Sequence, residues 1–356
     1  MERVRAVRRG PRFATTPALV GLTVLAVIPA CTWDSGLPGS PGTATTTPAG
    51  EGGVSMAGRA PLTGVRTEQD LAHRPAITVK ISNTADAHPH RGLGNADIVF
   101  VEPIATGTTR LAAIFHSRLP AQIGPVRSLR PMDSALIGPT KGVIANTMAD
   151  KWVLEYMDRA SGLANLGTLR VPSGTYKIDR TRRAPNHVFA QPAKLLALTD
   201  RKTAPIPYFA YAPDAAQSTA QLQGKKAASV AIGYGGPASV TWKYDARTRR
   251  WLRAEKWSRH LLENGTQVTA DNVIVLKAAR DTSFAQARPS MTTLDLFDAS
   301  GDLQLFTGNK VINGRWSKGA VPDPFKFTTT NGKPLLLAPG TTWIECALTQ
   351  MPIVTK

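Results

Sequence analysis

Cysteine is nearly absent: the 356 residues contain two, Cys31 and Cys346. A disulfide framework is therefore excluded, and a chain of this length can bury enough apolar surface for about two ordinary domains without covalent help. Familiar catalytic signatures are also missing. There is no Gly-x-Ser-x-Gly elbow, no His-Glu-x-x-His helix, no phosphate-binding loop ending in Lys-Ser/Thr and no Cys-x-x-Cys pair. Acidic residues are scarce, 25 against 43 basic ones, for a formal charge of +18. No apolar run reaches the ~20 residues a membrane-spanning helix needs. With 42% hydrophobic and 19% charged residues, the composition is that of a folded body rather than a disordered or multi-pass membrane protein.

The amino terminus departs from that average. Arg3, Arg5, Arg8, Arg9 and Arg12 face one acid, Glu2, and an apolar run over residues 18–28 follows. This is the pattern of a signal peptide. It ends in Ile28, Pro29, Ala30 and Cys31, matching a lipobox at the aliphatic position, one small position and the cysteine, with Pro29 as the departure. Three readings stand: a lipoprotein signal segment over 1–31 acylated at Cys31, which anchors the body to the outer face of the cell membrane, simple cleavage near Ala30, or an uncleaved anchor; Arg8-Arg9 also allows a twin-arginine signal, though Gly-Pro-Arg-Phe follows it poorly. Residues 32–62 are rich in Gly, Pro, Ser, Thr and Ala and read as a flexible tether. The positive charge is spread over the rest of the chain and forms no basic tail. For an exported body the expected partners are anionic lipid, anionic wall polymer or an envelope protein, and nucleic acid is not among them.

Folded sequence begins near Thr63. Runs rich in β-branched and aromatic residues at 76–82, 96–102, 109–116 and 142–146 predict strands, and apolar spacing predicts helices over 131–137, 151–158 and 192–198. Beyond a boundary between about 205 and 228 the period changes. Strands are expected at 228–233, 239–244, 250–254 and 272–277. Hairpins are expected around 298–302, between arms 292–297 and 304–307, and around Asn331-Gly332, between arms 325–329 and 334–337. The fold class is α+β: a mixed α/β domain over 63–210, then a mainly antiparallel β domain over 222–354. Cys346, in the alternating run 342–348, reads as a small strand residue rather than a nucleophile.

These residues carry a family resemblance. The segments 74–83, 92–102, 109–117 and 123–131, with 270–275, 314–318 and 337–344, resemble the YerB-like family of lipoproteins, built from paired N- and C-terminal domains of unknown function. The resemblance implies a lipoprotein address and a two-part build, and it brings no reaction with it. At 184–189 the family pattern has His before Asn, whereas this chain has Asn186 then His187.

The polar residues of the first half suggest where chemistry sits. If the strands at 96–102 and 109–116 pair, Glu102 and Arg110 share one end, and Asp97 and His116 the other. Arg127 and Arg130, three apart at a helix entrance, suit one phosphate or carboxylate, unless they pair with Asp97, Glu102 or Asp133 to brace the loop. Arg180 and Arg183, in a basic loop with Lys177, are further anion-binding candidates. Asp97, Glu102 and His116 are the possible acid/base groups for an enzyme acting on phosphate-bearing lipid or glycan. His88 and His90, with Asp86, lie in a Pro-containing loop; no metal site and no cofactor is assigned. Trp242, Tyr244, Trp251 and Trp257 alternate with Lys243, Arg247, Arg249, Arg250 and Arg253, which predicts aromatics inward and cations outward.

Overall fold

The computed structural model describes residues 52–105, 107–284 and 291–356. The leader, Cys31 and most of the expected tether lie outside the described residues. The first half supplies strands β1 (Ile77–Ser82), β2 (Ile98–Ala105), β3 (Thr108–Phe115), β4 (Val143–Ala145) and β5 (Ala164–Asn165), and the hairpin β6 (Tyr176–Ile178) and β7 (Val188–Ala190). The second supplies β8 (Lys225–Lys226), β9 (Ser229–Ile232), β10 (Val240–Asp245), β11 (Arg250–Glu255), β12 (Thr269–Ala270), β13 (Asn272–Ala278), β14 (Ala299–Thr307), β15 (Lys310–Lys318), β16 (Lys326–Thr329), β17 (Thr342–Leu348) and β18 (Ile353–Thr355). Helices are few: α1 (Asp133–Ile137), α2 (Lys151–Ala160), α3 (Pro192–Leu196) and α4 (Thr219–Gln223).

One sheet runs through both halves in the order β16-β15-β14-β13-β17-β2-β3-β1-β4-β5, with β8 beside β15. The joint is β17, parallel to β13 on one side and to β2 on the other. β1 and β17 are buried at every position, because both faces of the sheet are covered. On one face Ile98, Phe100, Ala112, Ile114, Ile274 and Ile344 pack with α1 and α2 through Leu136, Ile137, Val153 and Met157. On the other, Val79, Ile81, Val101, Leu111 and Trp343 meet Val230, Ile232, Trp242 and Trp251 of a second sheet, ordered β12-β11-β10-β9-β18.

Several expectations need correction. The described residues are 36% strand against 12% helix, so the mixed α/β character is weaker than the sequence implies. The helices expected over 131–137 and 192–198 shorten to five residues each. Within a second half whose other strand pairings are antiparallel, β17 pairs in parallel with both neighbours. The hairpin expected at 298–302 is absent: β14 runs through that segment and turns at Gly308 into β15, while 292–297 joins only a bridge between Arg280 and Leu294. Gly301 is there for space rather than for a turn. A Cβ on it would lie 2.4 Å from the Lys277 carbonyl and 2.6 Å from Trp316 Nε1. At Asn331-Gly332 the turn forms, with Gly332 at φ +81°, but its second arm is only a bridge between Thr328 and Pro334.

The tether also ends earlier than composition suggests. Val54 N–H donates to the Tyr211 carbonyl (3.0 Å), Tyr211 OH donates to the Leu62 carbonyl (2.6 Å), and Ala60 and Leu62 are buried. A few apolar residues among Gly and Pro are enough to dock this stretch. In β11 the side chains of Trp251, Arg253 and Glu255 all face inward, so the expected outward cation Arg253 is buried instead. Trp242 is buried, Tyr244 half-buried and Trp257 exposed. Cys346 is buried in β17, where burial pushes its thiol pKa up.

Candidate functional site

Pairing of β1, β2 and β3 sets the first cluster. Ser82 is opposite Arg110, Lys80 opposite Ala112, and Glu102 opposite Arg110, so Lys80, Ser82, Glu102 and Arg110 share the helix-facing side at one end of the sheet. Lys80 Nζ binds Glu102 Oε1 at 2.6 Å and also Asp133 Oδ1 at the start of α1; all three side chains are fully buried. Asp133 Oδ2 accepts the Arg130 backbone N–H at 2.6 Å, which fixes the loop carrying Arg127 and Arg130. Burial and the neighbouring Asp133 raise Glu102 to about 8, with Lys80 opposing. Arg110 is lowered to about 9, first by burial and then by Arg130 and Arg127.

The Arg110 guanidinium is thus within electrostatic reach of those of Arg130 and Arg127. Arg110 Nη1 donates to the Ser128 carbonyl at 3.2 Å, Arg130 Nη1 donates to the Leu129 carbonyl at 2.8 Å, and Nε of both Arg110 and Arg127 is buried without a hydrogen-bond partner. Burial lowers the Arg127 pKa, with Asp86 opposing.

The remaining sequence candidates are elsewhere. Asp97 and His116 lie at the opposite end of the β2–β3 pair. Asp97 accepts the N–H groups of His116 (2.6 Å) and Ser117 (2.8 Å) and the Ser117 hydroxyl, and burial raises its pKa. His116 Nε2–H donates to the Arg74 carbonyl at 2.9 Å, and burial lowers its pKa to about 4. Arg180 and Arg183 are exposed in the β6–β7 connection. Arg182 between them reaches inward, donating to the carbonyls of Ala87 (3.0 Å) and Pro89 (2.6 Å). His187 is half-buried, and Asn186 Nδ2 donates to Asp86 Oδ2 at 2.8 Å, which leaves Asp86 outside the histidine group.

On the opposite face of the sheet, at the same end, the fold assembles a group that sequence spacing does not show. His88 and His90, from the loop before β2, meet His260, from the segment after β11, with ring centroids 4.2 to 4.9 Å apart. His90 Nε2–H donates to the Ser82 carbonyl at 2.6 Å, so its Nδ1 carries the lone pair and accepts from His260 Nε2 at 2.7 Å. His260 Nδ1 then accepts from Arg253 Nη1 at 2.8 Å. Asn83 Nδ2 donates to Thr109 (2.8 Å) and to Glu255 (3.1 Å), which orients its Oδ1 to accept from His88 Nε2 at 3.2 Å. Arg253 is itself held by Glu255 and by Glu345 Oε1 at 3.0 Å. Burial lowers His88 to about 2 and His90 to about 3, and holds His260 well below its ordinary value, so all three rings are neutral at physiological pH. A cavity of about 430 Å³ lies alongside, lined by His90, Leu262, Gln267 and Trp343 among others.

Fold and clusters together define a sheet-dominated protein whose two halves interlock through one strand and bury charged groups on both faces of the joint. Residues 62–205 match the N-terminal domain, and residues 230–344 the C-terminal domain, of a protein of unknown function, DUF3048, and the chain belongs to that family. Over 73 residues it is 48% identical to "Putative lipoprotein YerB" of Bacillus subtilis (strain 168), a stretch that is 20% of this chain and spans only 22% of that relative's length. The crystal structure of the YerB protein from Bacillus subtilis shares the fold, with a TM-score of 0.70 at 23% identity, covering 83% of this chain and 99% of that one.

Proposed function

We propose that this chain is an exported lipoprotein, held at the outer face of the cell membrane by lipid on Cys31, whose body binds an anionic, phosphate-bearing component of the envelope. The leader ending at Cys31 and the name of the Bacillus subtilis relative, "Putative lipoprotein YerB", support the address. The observation that carries the binding reading is the grouping of Arg110, Arg127 and Arg130 beside carboxylates that Lys80 already engages. Arg180 and Arg183, exposed in the β6–β7 connection, are further basic candidates for the same ligand. A second reading, an enzyme on phosphate-bearing lipid or glycan, draws on one observation: Glu102, beside Arg110, holds a proton near neutrality.

The test is retention of the purified body on immobilised poly(glycerol phosphate) across a salt series. Retention that weakens with salt, and falls about tenfold in Arg127→Glu, is the expected result. Equal retention on a neutral glycan, or no effect of Arg127→Glu, refutes the binding reading. Release of phosphate or of shortened polymer in the same mixture would favour the enzyme. Mass spectrometry of the membrane-bound product tests the address; an unacylated Cys31 refutes it.

A further inference from the structure

We propose that His88, His90 and His260 form a binding site for a divalent transition-metal ion, zinc in the first instance, with a coordination position left for an exogenous ligand. One ring nitrogen from each histidine lies within 4.8 Å of the other two. The opposite nitrogens of two of them face an oxygen, Asn83 Oδ1 at 3.2 Å for His88 and the Ser82 carbonyl at 2.6 Å for His90; that of His260 accepts from Arg253 Nη1 at 2.8 Å, with Glu255 Oε1 3.7 Å away. An amide oxygen, a backbone carbonyl and a carboxylate are the outer partners that orient metal-bound imidazoles. The inner nitrogens are available by the same hydrogen-bond logic. His88 Nδ1 is buried without a partner, and His90 Nδ1 and His260 Nε2 share a single proton across 2.7 Å.

Metal binding requires a shift of that proton and the release of two hydrogen bonds, between His90 and His260 and between Arg253 and His260. When His260 Nε2 takes the metal, its proton moves to Nδ1 and is directed to Glu255, while Arg253 gives up its contact with His260 and keeps its bonds to Glu255 and Glu345. The imidazole stays neutral, and no proton is lost. Arg253 and Arg182 oppose a cation here, and Glu255 and Glu345 are both engaged by Arg253. For a tetrahedral ion with Zn–N of about 2.0–2.1 Å, the nitrogens sit about 3.3 Å apart, so small ring movements suffice. Three neutral imidazoles suit zinc, copper, nickel or cobalt rather than magnesium or calcium. Of the three ligands, His90 lines the adjacent cavity, the side from which the further ligand would enter.

Metal-stripped wild-type protein is titrated with Zn2+ and, separately, with Co2+ followed by its visible ligand-field bands, and thermal unfolding is recorded with and without metal. The expected result is one ion per chain, a spectrum of nitrogen-ligated Co2+, and a rise in Tm, because the ion binds only the folded state. His88→Ala, at the half-exposed ligand, weakens uptake by about a hundredfold or more, and His187→Ala, outside the group, binds as wild type. His90→Asn, checked for folding by circular dichroism, repeats the loss at a second ligand. Absence of stoichiometric uptake by folded wild type overturns the proposal, as does undiminished uptake by a folded His88→Ala variant.

Discussion

Replacing Glu102 by Gln gives the sharpest test of the buried charge cluster. Its ordinary pKa is 4.5; in the folded protein it stands at about 8, raised by burial and Asp133 against the opposing Lys80. An unfolded chain releases this proton near 4.5 and the folded chain near 8, so between those values the folded state holds one more proton. Stability from this group is therefore fully present below 4.5 and is lost as pH rises toward 8. The slope is about 1.4 kcal/mol per pH unit, or about 2–3 kcal/mol between pH 5 and pH 7. Asp97 and Glu255 are raised in the same sense, and His116, lowered to about 4, acts in the opposite sense below its ordinary value. These contributions are common to wild type and variant and cancel in the difference. Urea unfolding at pH 5, 6, 7 and 8, at constant ionic strength, should show near-equal stability at pH 5, with Glu102→Gln gaining steadily on wild type toward pH 8. Parallel pH profiles would refute the reasoning, because Glu102 would then be ionised in the folded protein like any paired carboxylate.

Three further outcomes follow from packing. Leu62→Ala should cost about 2–5 kcal/mol in urea unfolding, as for a buried core leucine, whereas a leucine in a free tether would cost nothing. Gly142→Ala places a Cβ 2.2 Å from the Ala76 carbonyl, which accepts the Val143 N–H at 2.9 Å, and should cost about 1–3 kcal/mol with a lowered Tm. Arg253→Met strands Glu255 and Glu345 in the core and should cost about 3–5 kcal/mol; adding Glu255→Gln and Glu345→Gln should restore part of the loss, and failure to restore any would show that the guanidinium acts through packing alone.

Most strands were legible because their runs of Val, Ile and Phe are the residues that a sheet covered on both faces requires. The order of the strands was not legible. Nothing local in 342–348 reveals that β17 pairs with β2, about 240 positions earlier in the chain. Gly301 misled because a glycine that makes room for an indole is indistinguishable, in sequence, from one that makes a turn. The arginines of the first cluster were visible as a group, but Lys80, which organises the carboxylates beside them, was passed over. Its signal was present: a lone charge inside the otherwise uncharged run Ile77–Ser82. His260 offered no comparable signal, since it meets His90 only through a contact spanning 170 positions.

The placement of both clusters at one end of β1, β2 and β3 has a physical reason. Within the sheet, backbone groups satisfy one another and apolar side chains are the best filling; past the last rungs the ladder no longer does so and polar side chains take over. Ser82 shows the change, its carbonyl accepting from His90 and its N–H donating to Pro125 rather than to a strand partner. Asn83 continues it, joining Thr109 beside Arg110 to Glu255 and His88 on the opposite face. Lys80, Glu102, Asp133, Arg253, Glu255 and Glu345 are all buried at or near this joint, where apolar residues of similar size would be as stable or more so. Six ionisable groups kept where stability does not require them make the joint between the two halves the place where ligand contacts should be sought first.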